Sequence, residues 1–330
     1  MIESHTTSMK RYVLALPLLV SSLFLPIHAA MAITVSPVVM DLEIAKGSSK
    51  QDKITVRNDS DRVQTYALTV QNFVAEGEEG AQTYVEEEQP FGLAAWVIVD
   101  KPAVTLQPGE SADFPFAINI PSDAEPGGHY AAIFFSSSPG GTERTGVGVA
   151  AKTGVLLLVN VPGDIREDAR VETFRMSGGG WISRLPANFE LRLRNLGNTH
   201  FRPRGTLVVR NLLGSVVARV PANPKNSAVL PNSVRKIYAV WANTMDIPSG
   251  GFWTEVTNEW RNFAFGRYTA SVDMTYGSQN KSLEVQSVAF WVFPWRLAIL
   301  ASVGVVLIFA LLRLYNAMIV RAALKRSGKT

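Results

Sequence analysis

Beyond its first 32 residues this 330-residue chain has two histidines, His129 and His200, and it has no cysteine anywhere. A Ser–His–Asp arrangement needs its base aligned by an acid. His129 stands between Gly128 and a strand-opening Tyr130, and His200 stands in a turn-rich stretch, so neither position resembles a catalytic loop. Metal sites want several His, Cys or carboxylate ligands at close spacing, and none converge in the sequence. Glu76, Glu78 and Glu79, then Glu86 to Glu88, frame a short stretch ending in Thr83-Tyr84-Val85. Such carboxylates could serve a glycosidase, hold calcium or another cation, or bind a basic partner. A glutamate run on a hairpin tip is, more ordinarily, a solvated edge that discourages strand pairing. Gly146 to Thr153 resembles a phosphate loop, yet Ala151 stands where the motif requires Gly, and Val147 and Val149 read better as a strand. The expectation is a protein that is not an enzyme, with no catalytic residues, no metal and no cofactor.

Two groups of residues suit binding instead. Arg192, Arg194, Arg202, Arg204 and Arg210 form the densest basic cluster, with Arg192 and Arg194 on one strand face by parity. Anionic wall polymers, acidic proteins or an anionic lipid surface would all suit them, unless they are simply a solvated face. Phe252, Trp253, Trp260, Phe263, Phe265 and Tyr268 crowd one stretch. They either build the core and a long hairpin or, exposed, stack on sugars and fill partner pockets, Trp253 and Trp260 above all.

What must position these residues is set by two apolar segments. The first follows Lys10-Arg11, runs from Tyr12 to about Ile27 and ends in Ala30-Met31-Ala32, the layout of a secretory signal with Ile33 as mature start; Met9 is an equally good initiator. The second runs from Leu297 to Leu312 and is followed by Arg313, Arg321, Lys325, Arg326 and Lys329. It predicts a single membrane span with its basic end in the cytoplasm. Trp291 and Trp295, with Phe290 and Phe293, read as its outer aromatic belt, and Arg313 as a snorkelling residue. The bulk between the segments is then outside the cytoplasm, which makes nucleic acid an unsuitable partner. Without cysteines it has no disulfides, and stability must come from cores large enough to stand alone.

That bulk alternates with period two. Val38, Met40, Leu42 and Ile44 share one parity, as do Leu191 and Leu193. Short strands with Gly, Pro, Asn and Asp turns every ten or so residues argue for β-sandwiches. The apolar run Val155 to Val161 suits a strand buried on both faces. Leu106-Gln107-Pro108-Gly109 is echoed by Leu230-Pro231-Asn232-Ser233, and Gly128-His129-Tyr130 by Gly266-Arg267-Tyr268, which points to a duplicated domain. Charge divides in the same way: about eight Lys and Arg against about eighteen Asp and Glu over 33–165, and about sixteen against nine over 166–290. The expected organisation is a signal peptide at 1–32, immunoglobulin-like sandwiches at 33–165 and 166–290, a transmembrane helix with its aromatic flank at 291–320, and a basic cytoplasmic tail at 321–330.

This layout resembles the WxL-interacting protein family of bacterial cell surfaces. The resemblance rests on Ile54-Thr55-Val56-Arg57-Asn58, Val104-Thr105-Leu106 with Pro108-Gly109, Phe116 to Pro121 with Gly127-Gly128, Leu193-Arg194-Asn195, Leu230-Pro231-Asn232-Ser233 and Gly266-Arg267-Tyr268. It implies a first domain on peptidoglycan and a second domain on a secreted surface protein, with no small-molecule substrate. The first domain also resembles the amino-terminal sandwich of periplasmic pilus chaperones, with Gly146 to Val161 as the strand it would lend to a partner. The sequence therefore reads as a membrane-anchored binding or scaffold protein, with a tethered assembly chaperone as the alternative.

Overall fold

The computed structural model describes residues 33–85, 92–137, 152–244 and 248–327. Glu86 to Glu88, Gly146 to Ala151 and the expected signal segment lie outside these residues.

The first half is β1 (Ile33–Ser36), β2 (Val39–Glu43), β3 (Ser49–Asn58), β4 (Gln64–Glu76), β5 (Ala81–Val85), the short helix α1 (Leu93–Trp96), β6 (Val97–Val99), β7 (Ala103–Leu106), β8 (Ser111–Asn119), β9 (Gly127–Ser137) and β10 (Lys152–Val161). One sheet has the order β1-β3-β8-β6, the other β2-β10-β9-β4-β5 with β7 also on β4. The period-two pattern puts Ile54 and Val56 of β3 and Phe114, Phe116 and Ile118 of β8 inward. They meet Ile133 and Phe135 of β9 and Val155, Leu157, Val159 and Val161 of β10 in one core.

The second half is β11 (Ala169–Met176), β12 (Trp181–Ile182), β13 (Ala187–Asn195), β14 (Arg204–Asn211), β15 (Val216–Pro221), β16 (Val234–Trp241), helix α2 (Phe252–Arg261), β17 (Gly266–Tyr276), β18 (Lys281–Ser282), β19 (Gln286–Val292) and helix α3 (Trp295–Ser327). Its sheets are β11-β13-β16 and β12-β19-β17-β14-β15, with β18 on β17. Phe189, Trp241, Tyr268 and Phe290 lock them together, Phe189 and Phe290 edge to face at 5.6 Å. Phe290 is therefore a core residue, and its neighbour Trp291 is the one that faces out.

The two halves repeat one topology. β1 and β11 each pair antiparallel with the next long strand, β3 and β13. β2 and β12 each lie parallel to the last long strand of the opposite sheet, β10 and β19. The recurring Leu-Pro turns also do the same work. Asn58 at the end of β3 donates to the carbonyls of Leu106 and Gln107, and Asn195 at the end of β13 donates to that of Val229. Both asparagines are fully buried.

Leu158, on the outer face of β10, is buried with Phe73, Ala132 and Phe134, against which Ala228 and Leu230 of the second half pack. The run Val155 to Val161 is thus covered on both faces, the second cover coming from contact between the sandwiches. The stretch Phe252 to Phe265, read either as core and hairpin or as exposed aromatics, is largely the helix α2 with its aromatics exposed; only Ala264 and Tyr268 of its neighbourhood join the core.

Candidate functional site

At the junction of the sandwiches a cleft of about 540 Å³ is lined by Asp41, Glu43, Glu167, Arg202, Arg204 and Tyr276, among others. His200, with only 5% of its side chain exposed, is held here. Its Nε2 is 2.9 Å from Asp41 Oδ1 and its Nδ1 is 3.3 Å from the Tyr130 hydroxyl. Arg202 Nε donates to the other Asp41 oxygen at 3.0 Å. The hydrogen bond from His200, with the nearby charges of His200 and Arg202, holds the Asp41 carboxyl down at about 2 although partial burial opposes it. Burial drives the Tyr130 phenol well above its ordinary value. A His–Asp pair is half of a catalytic triad, but the group on the far side of this imidazole is a buried phenol made harder to ionise, the reverse of what a nucleophile needs. The constellation acts as a bolt between domains. His129 lies elsewhere, its ring 4.6 Å from that of Trp96.

The predicted arginine cluster is divided by the fold. Arg192 and Arg194 lie on β13, while Arg202, Arg204 and Arg210 belong to the approach to β14 and to β14 itself, in the opposite sheet. Arg192 makes paired bonds to Glu78, at the β4–β5 turn of the first sandwich, and Arg194 bonds Glu172. Arg204 lines the cleft, and Arg210 donates to the Gly214 carbonyl at 3.3 Å.

The acidic turn expected to be a solvated edge is docked on this basic face. The Lys236 amide donates to the Glu78 carbonyl at 2.8 Å, the Tyr238 hydroxyl donates to Glu79 at 2.8 Å, and Lys236 Nζ lies 3.3 Å from Glu79. Hydrogen bonding from Arg192, then the charges of Arg192 and Lys236, lowers the Glu78 carboxyl. Hydrogen bonding from Tyr238, then from Lys236, lowers that of Glu79. Gly80 in this turn has a left-handed φ of +88°, which favours glycine, and the Arg235 guanidinium lies over it. Part of the charge asymmetry between the halves thus meets at their junction, through Glu78, Glu79 and Asp41 on one side and Arg192, Lys236 and Arg202 on the other.

At the other end of the second sandwich, α2 carries Trp253 and Trp260, which are 69% and 73% exposed. Its inner side is polar. Glu255 pairs with Arg184 at 2.9 Å, and Glu259, fully buried, binds Arg296 at 2.9 Å and accepts the Leu297 amide at 3.0 Å. Glu259 thus caps the first turn of α3, where an anion complements the unpaired amides of a helix start. Trp291 and Trp295 are exposed beside it, and the Arg296 guanidinium lies 4.5 Å from the Trp295 ring. α3 is long and apolar enough to cross a membrane from Trp295 to Arg321, and Arg313 lies within that stretch over Phe309.

Among the described residues, part of one strand edge has no partner strand. β10 pairs with β9 along its whole length, but β2 joins its other side only from Leu156 onward. The Leu156 amide donates to the Val38 carbonyl at 3.0 Å, so by strand alternation Lys152 and Gly154 turn their backbone groups to that same side. Among the described residues no strand pairs with them there.

No family model matches the chain, and no curated protein matches it, so the resemblance to the WxL-interacting family gains no support from either. Solved structures do match. The chain is similar to the class 5 fimbriae chaperone CfaA (11% identity, 80% of this chain and 100% of that chain, TM-score 0.37). It is similar to the E. coli chaperone DraB (12% identity, 78% and 96%, TM-score 0.36) and to the YadV chaperone (10% identity, 79% and 100%, TM-score 0.36).

Proposed function

We propose that the chain is a non-enzymatic, membrane-tethered binding protein that takes a protein partner at the open edge of β10. Its sandwiches stand outside the cytoplasm, and α3 crosses the membrane with Arg321, Lys325 and Arg326 on the inner side, a reading supported by the excess of basic residues beyond the apolar stretch. The edge at Lys152 and Gly154 is the observation that carries this reading. Unpaired backbone donors and acceptors on a sheet edge receive an extended segment from another chain, with affinity supplied by main-chain bonds. The docked Glu78–Glu79 turn and the Asp41–His200 bolt hold the two sandwiches as one body, which suits a scaffold whose edge must stay presented.

The test is photo-crosslinking from position 152 in cells making the full chain. One secreted or surface protein should be trapped, and Lys152→Pro, which deletes an edge donor while leaving the bonds to β9, should abolish its co-purification. Unchanged recovery with Lys152→Pro removes the edge from this reading. Binding of purified peptidoglycan that is indifferent to the same substitution would favour the wall polymer instead.

The same edge supports a second reading, a tethered assembly chaperone that lends β10 to an incomplete partner. Refolding yield of the trapped partner, with and without the protein, separates it from simple attachment.

A further inference from the structure

β17 runs the length of the second sandwich, and its register orders the molecule. Its last residue, Tyr276, lines the cleft to the first sandwich. Its first, Gly266, pairs with Val292, just before α3 begins. β14 lies antiparallel and sets Asn211 opposite Tyr268, so the turn from Leu212 to Ser215 hangs at that same lower end. β12 arrives there too, with Trp181 opposite Trp291. α2 leads directly into β17 and is pinned to α3 through Glu259.

What this end exposes is unlike a surface made for water. Leu213 is 86% exposed, and Leu212, Trp181, Phe263, Phe265, Trp291 and Trp295 are exposed with it. α2 is turned inside out: Asn258 and Glu259 are buried, while Trp253 and Trp260, seven positions apart and so on one helix face, point away from the protein. Arg261 and Arg267 are exposed among the aromatics. Aromatic and leucine side chains interspersed with arginines are the composition of an interfacial surface.

We infer that this end of the second sandwich is seated in the outer headgroup region of the bilayer that α3 enters, with Trp253, Trp260, Leu212 and Leu213 as the inserted side chains. The occupant of the apolar face is lipid because the face is continuous with the start of the spanning helix. The inference rests on α3 being a membrane span. It makes the second sandwich a seated base, not a body swinging on a tether. The first sandwich is then held away from the lipid by the length of β17, roughly 35 Å for a strand of this length.

The chain has no cysteine, so single spin labels can be placed cleanly. In the full chain, labels at Leu213→Cys, Trp253→Cys and Trp260→Cys in phosphatidylcholine–phosphatidylglycerol nanodiscs are compared with Val306→Cys on α3 and Asp123→Cys on the first sandwich. The ratio of oxygen to water-soluble nickel-chelate accessibility should be highest at 306, lowest at 123, and at the three positions at least about threefold above that at 123. Values equal to that at 123, with 306 in lipid, overturn the seating while leaving the span intact. A water-like value at 306 overturns the span. Dipolar broadening between labels on two copies, without oxygen contact, assigns the face to a second copy and also overturns the seating. A milder pair of substitutions guards against misfolding: in brominated-lipid nanodiscs, Trp253→Phe with Trp260→Phe should lower the quenched share of tryptophan emission, and an unchanged share counts against insertion.

Discussion

Glu78 and Arg192, 114 residues apart in the chain, are joined by paired hydrogen bonds that fasten the first sandwich to the second. Arg192→Glu should break this joint, and adding Glu78→Arg should restore it. Distances between labels on the two sandwiches, measured by pulsed electron spin resonance, should broaden in the single variant and narrow again in the double. Moderate salt should loosen the joint far less than the single variant does, because charges only about 30% exposed are screened weakly.

Asn58 and Asn195 should be the most sensitive polar positions of the two cores. Each holds buried loop carbonyls that lose their donor once it is gone. Replacement by Ala should cost about 2–3 kcal/mol at either site, read from the denaturant midpoint of the detergent-solubilised chain.

The Asp41 carboxyl is held at about 2, below its ordinary 3.8, chiefly by the hydrogen bond from His200. A depressed carboxyl stabilises the folded form fully above its unfolded value and loses that contribution as pH falls through the folded one. The domain junction should therefore hold above about pH 4 and loosen towards pH 2. Asp41→Asn should flatten this dependence, measured as protease cutting between the sandwiches or as the same interdomain distances.

Glu259 is buried where it binds Arg296 and caps α3. Glu259→Ala leaves the Leu297 amide without its acceptor and Arg296 with only its longer 3.9 Å approach to Glu255, and should cost about 2–3 kcal/mol. Glu259→Gln keeps an acceptor for the Leu297 amide and should cost less. Hydrogen exchange at the amides of α2 and the first turn of α3 should accelerate in that order.

The strands were readable because period-two alternation is a local signal. Met40, Ile44, Leu191 and Leu193 face inward as their parity requires, while Val38, which precedes β2, is exposed. The duplication was readable because the Leu-Pro turns repeat beside the two asparagines. The helix α2 was missed: its aromatics were read either as core and hairpin or as exposed, and the second holds for Trp253 and Trp260, the buried side being Asn258 and Glu259. Aromatic composition says nothing about which face turns inward. The Glu78–Glu79 turn was read first as solvated and only second as a site for a basic partner, because a charged hairpin tip looks solvated until its partner is known. His200, taken for a turn residue, gains its buried place only when Asp41 and Tyr130 are brought to it.

By itself the sequence determined what neighbours along the chain can decide: two sets of alternating strands, an apolar helix long enough to span a bilayer, and no disulfides. Tertiary structure alone decided which charges meet. Oppositely charged residues such as Glu78 and Arg192 carry no mark of their partner, and a pairing across a hundred residues exists only after both sandwiches have folded and their faces have been pressed together by Leu158, Phe134 and Leu230. It also decided which aromatics face outward at the foot of the molecule, because exposure belongs to the packed surface and not to the residue.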